Sequence, residues 1–261
     1  MTKCPVQKQR KVFFENTKPA CCQKNTHYRF TGLKSMYTYL LINIFSISVP
    51  FLFSFEKRLV YYKKWKALFP AILITGAFFI IWDHYLTVWN VWSFNPKYLI
   101  GVNVWGLPIE EWMFFFTIPY SCVFIYESLN ILLKNDPFQR FSKNISIVLI
   151  VILSVTALCN TDKSYTGIKL SLTALMLLFV VIRKFPYMGK FYRAYLVSLL
   201  PFFIVNGILT SLPVVMYNDS ENLGIRIFTI PIEDTMYSLL LFLMNIVLFE
   251  YFKNEKSPRN H

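Results

Sequence analysis

The stretch Pro231-Ile232-Glu233-Asp234 opens the last long apolar run of the chain, and an earlier run opens in the same way with Pro108-Ile109-Glu110-Glu111. In both copies the proline fits the first turn of a helix, and the carboxylates lie where the positive end of the helix dipole favours them. Glu127 and Glu250 each follow the first carboxylate of their copy by seventeen residues, about 25 Å along a helix. Because this length approaches the hydrocarbon thickness of a bilayer, the stretch predicts two membrane-spanning helices with acids at both ends.

The composition is typical of a multispanning membrane protein. The 261 residues are 55% hydrophobic and 16% charged, and the mean hydropathy is +0.44. The formal net charge of +13 would suggest nucleic-acid binding in a soluble protein, but the basic residues flank apolar runs and form no single face, so we expect no nucleic-acid partner. The five cysteines have neither metal-ligand spacing nor a disulfide framework, and the chain lacks a dinucleotide-binding fingerprint, so no metal and no cofactor are expected.

Seven apolar runs predict an all-α polytopic membrane protein with about seven transmembrane helices. The predicted spans are 36–55, 68–82, 109–133, 145–158, 167–182, 194–215 and 232–252. Lysines and arginines are concentrated after the first, third and fifth spans and in the C-terminal tail. This distribution predicts a multi-pass protein of the cell membrane with a cytoplasmic C-terminus and both acidic motifs toward the outer face.

The order of the spans predicts two parallel three-helix repeats joined by a connector helix. A fourth span between two three-helix units returns the second unit to the orientation of the first, so both acidic motifs reach the same depth and can face one cavity. The expected division is a basic polar tail (1–35), a first repeat (36–133), a connector with the fourth span (134–166), a second repeat (167–252) and a cytoplasmic tail (253–261). As a hypothesis, translation begins at Met36.

Carboxylates inside a membrane are costly and are therefore functional candidates. A single motif of this kind is most simply explained as the start of a helix. Two such motifs at equivalent positions of two repeats favour a functional site. Adjacent carboxylates in a low dielectric resist ionising together, so such a pair can provide an acid and a base. The catalytic candidates are Glu110, Glu111, Glu233 and Asp234. Glu127 and Glu250 are weaker candidates, because acids at the far helix ends are more often solvated.

Residues near the motifs are secondary candidates. For Asp83, solvation at the interface and a place in the site both stay open, whereas His84 is expected to be a surface or packing residue. Aromatic side chains beside the motifs could stabilise a cation through their ring faces. These aromatic candidates are Trp82, Trp89, Trp105, Trp112 and Tyr237.

The two acidic motifs, with Trp82-Asp83, Ile118-Pro119-Tyr120 and residues 206–210 (NGILT), resemble the membrane-integral carotenoid (lycopene) cyclases in their fused tandem form. The resemblance covers residues 36 to about 252. It implies a redox-neutral cyclisation in which the linear ψ end of lycopene becomes a β-ionone ring, giving γ- or β-carotene. An acid protonates the terminal double bond, the next alkene attacks the carbocation, and a base removes a ring proton; the family needs no nucleotide fold.

The resemblance also implies roles for particular residues. Glu110 and Glu233 would be the principal acid and base, with Glu111 and Asp234 tuning their proton affinity; which residue protonates and which deprotonates stays open. The substrate-binding candidates are Asp83, Trp82, Trp112, Asn206 and Tyr237. The implied partners are a lipophilic carotenoid and the lipid bilayer, with other carotenoid-biosynthesis enzymes as further candidates. One ring or two, and the ring isomer, stay open.

Two alternatives belong to other functional classes. A proton-coupled transporter also uses parallel repeats with acids at matched depth, but here the acids lie near one interface instead of the midplane. A non-catalytic carotenoid-binding subunit would be expected to have lost the acids of one half, and both halves of this chain retain them.

Overall fold

The computed structural model describes residues 35–255, so nearly all of the predicted N-terminal tail and the end of the C-terminal tail lie outside the described residues. The described part contains seven α-helices: α1 (Thr38–Phe53), α2 (Trp65–Val88), α3 (Ile109–Leu132), α4 (Ser142–Cys159), α5 (Ser164–Arg183), α6 (Met188–Ser211) and α7 (Ile232–Glu255). Within these residues, six helices are long and apolar enough to cross a membrane, and α1 is shorter with 16 residues. The expected all-α, multi-pass fold class is confirmed.

Several predicted helix boundaries are wrong, and the largest differences are in the second and sixth helices. The sixth helix was expected to begin at Ala194, but α6 begins at Met188. The second helix was expected to end at Trp82, but α2 continues to Val88 and includes Asp83 and His84. Asp83 is fully buried and bonded within the bundle, so its charge does not end the helix. The sixth helix was expected to continue to Val215, but α6 ends at Ser211, just before Pro213, because a proline disfavours helical geometry in the residue that precedes it.

Short antiparallel hairpins lead into α3 and α7. One pairs β2 (Asn103–Val104) with β3 (Leu107–Pro108), and the other pairs β5 (Arg226–Ile227) with β6 (Ile230–Pro231). The turns place Trp105 and Phe228 in the left-handed region, with φ of 51° and 56°. These two residues are 123 positions apart, as are Glu110 and Glu233. The two halves predicted from the acidic motifs therefore share the turn geometry of these hairpins as well as the motifs themselves.

A third two-stranded sheet joins the two repeats. Its strands β1 (Trp92–Phe94) and β4 (Val215–Tyr217) are also 123 positions apart, and they pair antiparallel around the central residues Ser93 and Met216. The strand pair continues in two reciprocal backbone bonds of 2.9 Å, from Asn95 N–H to the Val214 carbonyl and from Asn218 N–H to the Val91 carbonyl. Equivalent segments that pair in this way are related by a local two-fold axis. We call this sheet the central ribbon.

The packing of the helices brings the starts of α3 and α7 together. Helix α1 packs on α3, α5 packs on α7, and α2 lies against both α3 and α7, while the connector α4 packs mainly on α5. The buried core follows α3, α5 and α7, and includes Tyr120, Leu177 and Phe242. The acidic beginnings of α3 and α7 consequently lie beneath the central ribbon.

Candidate active site

A cavity extends down the bundle from the acidic ends of α3 and α7. On α3 its lining runs from Glu111 to Ile125, which corresponds to about 21 Å along the helix. Residues of the central ribbon, Trp92, Phe94, Val215 and Tyr217, belong to the lining at the acidic end. Most of the remaining lining is apolar or aromatic, and the charged lining residues are Asp83, Glu111, Lys169 and Asp234.

The first acid of each motif fastens a hairpin. Oε1 of Glu110 accepts a hydrogen bond of 2.7 Å from the Ile100 backbone N–H, and Oε1 of Glu233 accepts one of 2.7 Å from the Leu223 N–H. Both side chains are buried, and the Oε2 atom of each has no hydrogen-bond partner within residues 35–255. Glu110 and Glu233 lie outside the lining of the cavity. Their contacts are equivalent in the two halves, as expected for a shared structural role.

The second acid of each motif faces the cavity. Glu111 accepts a hydrogen bond of 2.5 Å from the Tyr39 hydroxyl. Asp234 accepts hydrogen bonds from the hydroxyl of Tyr165 and, at 2.6 Å, from that of Tyr217. The loss of water around its hydroxyl and the neighbouring Asp234 carboxylate raise the pKa of Tyr217 well above its usual range. Tyr217 therefore keeps its proton and acts as a donor.

Asp83 adds a third carboxyl group to the cavity. Its Oδ1 accepts a hydrogen bond of 2.9 Å from the Tyr237 hydroxyl, and its buried Oδ2 has no donor among the described residues when both Asp83 and Glu111 are ionised. Asp83 and Glu111 are close enough to interact electrostatically. The equivalent position in the second repeat is Asn206, which also lines the cavity and donates to the Phe202 carbonyl at 3.3 Å. Two acids therefore meet in the N-terminal half, and one lies in the C-terminal half.

Lys169 brings a cation into the same cavity. Its side chain is 1% exposed, and its Nζ lies 3.2 Å from Oδ1 of Asp234. The ammonium also lies over aromatic rings, at 4.2 Å from the centre of the Tyr237 ring and 5.0 Å from that of Trp92. Asn43 occupies the equivalent place on α1, four residues after Tyr39 as Lys169 is four residues after Tyr165.

Comparison with known proteins agrees with this architecture. The family model for lycopene cyclase matches residues 36–129 and 162–252, that is, most of both repeats. The chain belongs to the lycopene cyclase family. No curated protein and no solved structure matched. The membership supports a carotenoid cyclase role, and the gap between the matched regions contains α4, the helix predicted to be the connector.

The predicted substrate-binding residues of this cyclase occupy different places. Asp83, Asn206 and Tyr237 line the cavity, whereas Trp82 and Trp112 do not. Trp82 is buried against Tyr237, with ring centres 5.6 Å apart, and the Trp112 indole N–H donates to the Val104 carbonyl at 3.2 Å. Both tryptophans therefore support the wall of the cavity from behind.

Other residues noted in the sequence lie away from the cavity. Trp105 stacks on His84 with ring centres 4.2 Å apart, and Trp89 is exposed. Glu127, at the opposite end of the cyclase, is 3% exposed and pairs with Lys64 and Lys253. It is therefore bonded within the protein instead of simply solvated. Within residues 35–255, no group of three His, Cys, Asp or Glu side chains could hold a metal ion.

Sequence reasoning missed Lys169 and the tyrosines that bond the second acids. Lys169 lies inside the predicted fifth span, where a charged residue is itself a functional signal. Tyr39 and Tyr165 stand near the starts of the first helix of each repeat and could have been found by aligning the two repeats. Their contacts with acids about 70 residues away, Glu111 and Asp234, were not readable from spacing.

Proposed function

We propose that this carotenoid cyclase is a lycopene β-cyclase that converts the linear ψ end of lycopene to a β-ionone ring, by proton transfer between buried carboxyl groups and the substrate. The observation that carries the proposal is the meeting of Asp83, Glu111 and Asp234 at one end of an apolar cavity. A hydrocarbon offers such groups only alkenes to protonate and C–H bonds to deprotonate. Acid and base catalysis is therefore the chemistry that suits both the site and the substrate.

The shape of the cavity supports a linear, lipid-soluble substrate. Its length along α3 accommodates an extended hydrocarbon with one end beside the acids. Pro201 of α6 belongs to the lining and is exposed, so the cavity is open beside this residue. A carotenoid dissolved in the bilayer would enter beside this residue without passing through water. An apolar lining of this kind favours the cyclase over a proton-coupled transporter, which needs a polar path.

The proposed reaction balances without an oxidant or reductant. A carboxylic acid gives its proton to the terminal double bond, whose π electrons form the new C–H bond and leave a tertiary carbocation. The π electrons of the next alkene form the ring C–C bond and move the cation into the ring. A carboxylate then takes a proton from a neighbouring carbon, and the C–H electrons become the ring double bond. The substrate and the product have the same composition.

We assign proton transfer to Asp83, Glu111 and Asp234, which line the cavity, and give Glu110 and Glu233 the role of fastening the hairpins. This departs from the ranking implied by the resemblance, which made Glu110 and Glu233 the principal acid and base. The reason is their position, since they lie outside the cavity lining and bond to backbone N–H groups. A residue that exchanges a proton with the substrate must reach it within hydrogen-bond distance.

Aromatic rings of the lining would stabilise the carbocation. The ring faces of Tyr237 and Trp92 already contact the Lys169 ammonium, so they are less available to a second cation. Phe94, Phe114 and Phe202 also line the cavity and do not contact Lys169 in this way. We therefore propose these phenylalanines as the rings that face the carbocation.

Pigment analysis in a lycopene-accumulating bacterial host tests the proposal. Expression of the full chain is expected to produce γ- or β-carotene, separated by chromatography and identified by absorbance. The number of rings in the product distinguishes one round of cyclisation from two. Unchanged lycopene, despite confirmed protein in the membrane, would contradict the assignment of lycopene as substrate.

A further inference from the structure

Within the part of the chain that the structure describes, the C-terminal half of the cavity contains a buried ion pair and the N-terminal half contains none. Lys169 and Asp234 are 1% and 6% exposed at their side chains, and Nζ of Lys169 lies 3.2 Å from the carboxylate. A buried lysine is retained in a membrane protein when it is paired or functional. At the equivalent place on α1, Asn43 is neutral and donates to the Glu110 carbonyl at 3.0 Å.

The second difference between the halves is an added negative charge in the N-terminal half, whereas the first is an added positive charge in the C-terminal half. Asp83 in the N-terminal half corresponds to Asn206 in the C-terminal half. The N-terminal half therefore presents two carboxyl groups, Asp83 and Glu111, and no cation to the cavity. The C-terminal half presents one carboxyl group, Asp234, and one cation. The local two-fold axis relates the backbones of the halves, but these side chains give them different charges.

These surroundings favour different protonation states. Asp234 receives hydrogen bonds from Tyr165, Tyr217 and Lys169, and the lysine compensates its charge, so its ionised form is stabilised. Asp83 and Glu111 each accept one tyrosine hydroxyl. Asp83 interacts electrostatically with Glu111 and, more weakly, with Lys169, whose ammonium forms its ion pair with Asp234. Two neighbouring carboxyl groups in a low dielectric resist ionising together, so one of them retains a proton.

We propose that Lys169 is a positioning residue that assigns the two steps of cyclisation to the two halves. Asp83 and Glu111 donate the proton that starts the reaction, and Lys169 holds Asp234 ionised and fixed in place as the base that ends it. This inference rests on the proposed cyclase function and specifies which carboxyl group performs which step. Lys169 acts through Asp234 and does not itself exchange a proton with the substrate.

The position of the base has a chemical consequence. The ring carbocation has hydrogens on three neighbouring carbons, two in the ring and one in the attached methyl group. Loss of a proton from each carbon gives a different double bond, which corresponds to the β, ε and γ rings. The isomer formed therefore depends on which C–H bond points at the base. A lysine that fixes the Asp234 carboxylate consequently fixes the ring isomer.

The test compares Lys169→Met, Lys169→Arg and the control Lys163→Met in membranes supplied with lycopene. Lys163 precedes α5 and lies outside the acidic cavity, so its removal is expected to leave the activity unchanged. Lys169→Met is expected to slow ring formation at least about tenfold and to give a mixture of ring isomers. Lys169→Arg keeps the charge and is expected to restore most of the isomer selectivity. A merely structural lysine would change the amount of folded enzyme and leave the isomer ratio unchanged.

Infrared spectroscopy of the same membranes provides a readout that does not require activity. Wild type is expected to show the band of the protonated carboxyl group of the Asp83–Glu111 pair. Lys169→Met is expected to gain an additional protonated-carboxyl band, and this additional band should be absent in Lys169→Met with Asp234→Asn. An active wild-type enzyme with an unchanged rate, isomer ratio and infrared band in Lys169→Met would overturn this inference and leave the cyclase function standing. A wild-type chain that forms no ring from any linear carotenoid would overturn both.

Discussion

The N-terminal and C-terminal halves of the protein have nearly the same backbone around the cavity and differ in the charges that they place there. In both halves the first acid bonds to a backbone N–H, the second acid accepts a tyrosine hydroxyl, and a hairpin precedes the acidic helix. Asn43 against Lys169 and Asp83 against Asn206 separate the halves chemically. The comparison teaches that a repeated backbone can support two chemically different sides of one cavity, because residues at only two equivalent positions change the charges.

The largest expected effect separates the two acids of one motif. Glu111→Gln removes a transferable proton from the cavity and is expected to slow cyclisation by about 10²- to 10⁴-fold. Glu110→Gln keeps an oxygen that accepts the Ile100 N–H, so its activity should stay within about tenfold of wild type. Ring formation per amount of membrane-inserted protein measures both variants. A larger loss of activity in Glu110→Gln than in Glu111→Gln would contradict this assignment and indicate that Glu110 is the principal acid or base.

Exchanging the acid between the halves is the next test. Asp83→Asn is expected to slow cyclisation roughly tenfold to 100-fold, because Glu111 loses the carboxyl group with which it interacts. Adding Asn206→Asp to this variant restores the number of carboxyl groups but places the new one in the half that contains Lys169. We expect no recovery of the rate. Recovery to the wild-type rate would show that the halves are interchangeable and would contradict the proposed chemical difference between them.

A smaller effect is expected on thermal stability, at the ends of α3 and α7 that lie opposite the acidic motifs. Glu127 is 3% exposed and pairs with two lysines. The Glu250 side chain is 12% exposed, accepts the Tyr126 hydroxyl at 2.8 Å and lies 3.5 Å from Nζ of Lys253. Because the lysine side chains are 25% and 38% exposed, solvent weakens these ion pairs to about 1 kcal/mol in total. Glu127→Gln should lower the apparent melting temperature by about 2–4 °C, and Glu250→Gln by less. Thermal inactivation of the purified enzyme measures this, and equal shifts would indicate equivalent ends.

The smallest effect concerns topology and leaves activity unchanged. Val102 and Ile225 are exposed, 123 positions apart, and precede the acidic helices of their repeats. Single cysteines placed there, in a chain without its native cysteines, should both react with a membrane-impermeant reagent added from outside the cell. Labelling of the two sites from opposite sides would contradict parallel repeats. Labelling of both from the cytoplasm would reverse the predicted orientation.

Much of the fold could be predicted because its signals are local. The starts of α3 and α7 follow directly from a proline followed by acids, and the predicted first helical residues, Ile109 and Ile232, agree with the structure. The end of α2 could not be predicted in this way. Asp83 resembles a residue at a membrane surface until its partner Tyr237, 154 positions away, is known.

The site was predictable only in part, for the same physical reason. The acidic motifs lie at the helix ends where the cavity begins, but each helix start contains two adjacent acids that point in different directions. Which acid faces the cavity depends on backbone donors in the preceding hairpins, Ile100 and Leu223, and on tyrosines from other helices. Lys169 was visible as a charge within an apolar run, and its pairing with Asp234 required the packing of α5 on α7.

The central ribbon bears on how the two halves can differ. Two equivalent strands that pair antiparallel about their own midpoint form the kind of isologous contact that identical subunits make across a two-fold axis. In a homodimer built around such a contact, one mutation alters both sides of the cavity at once, so a lysine gained beside one acid also appears beside the other. A single chain that contains both halves is free of that constraint, because each half has its own residues. The central ribbon can therefore keep its two-fold symmetry while Lys169 and Asp83 differ from their counterparts, Asn43 and Asn206.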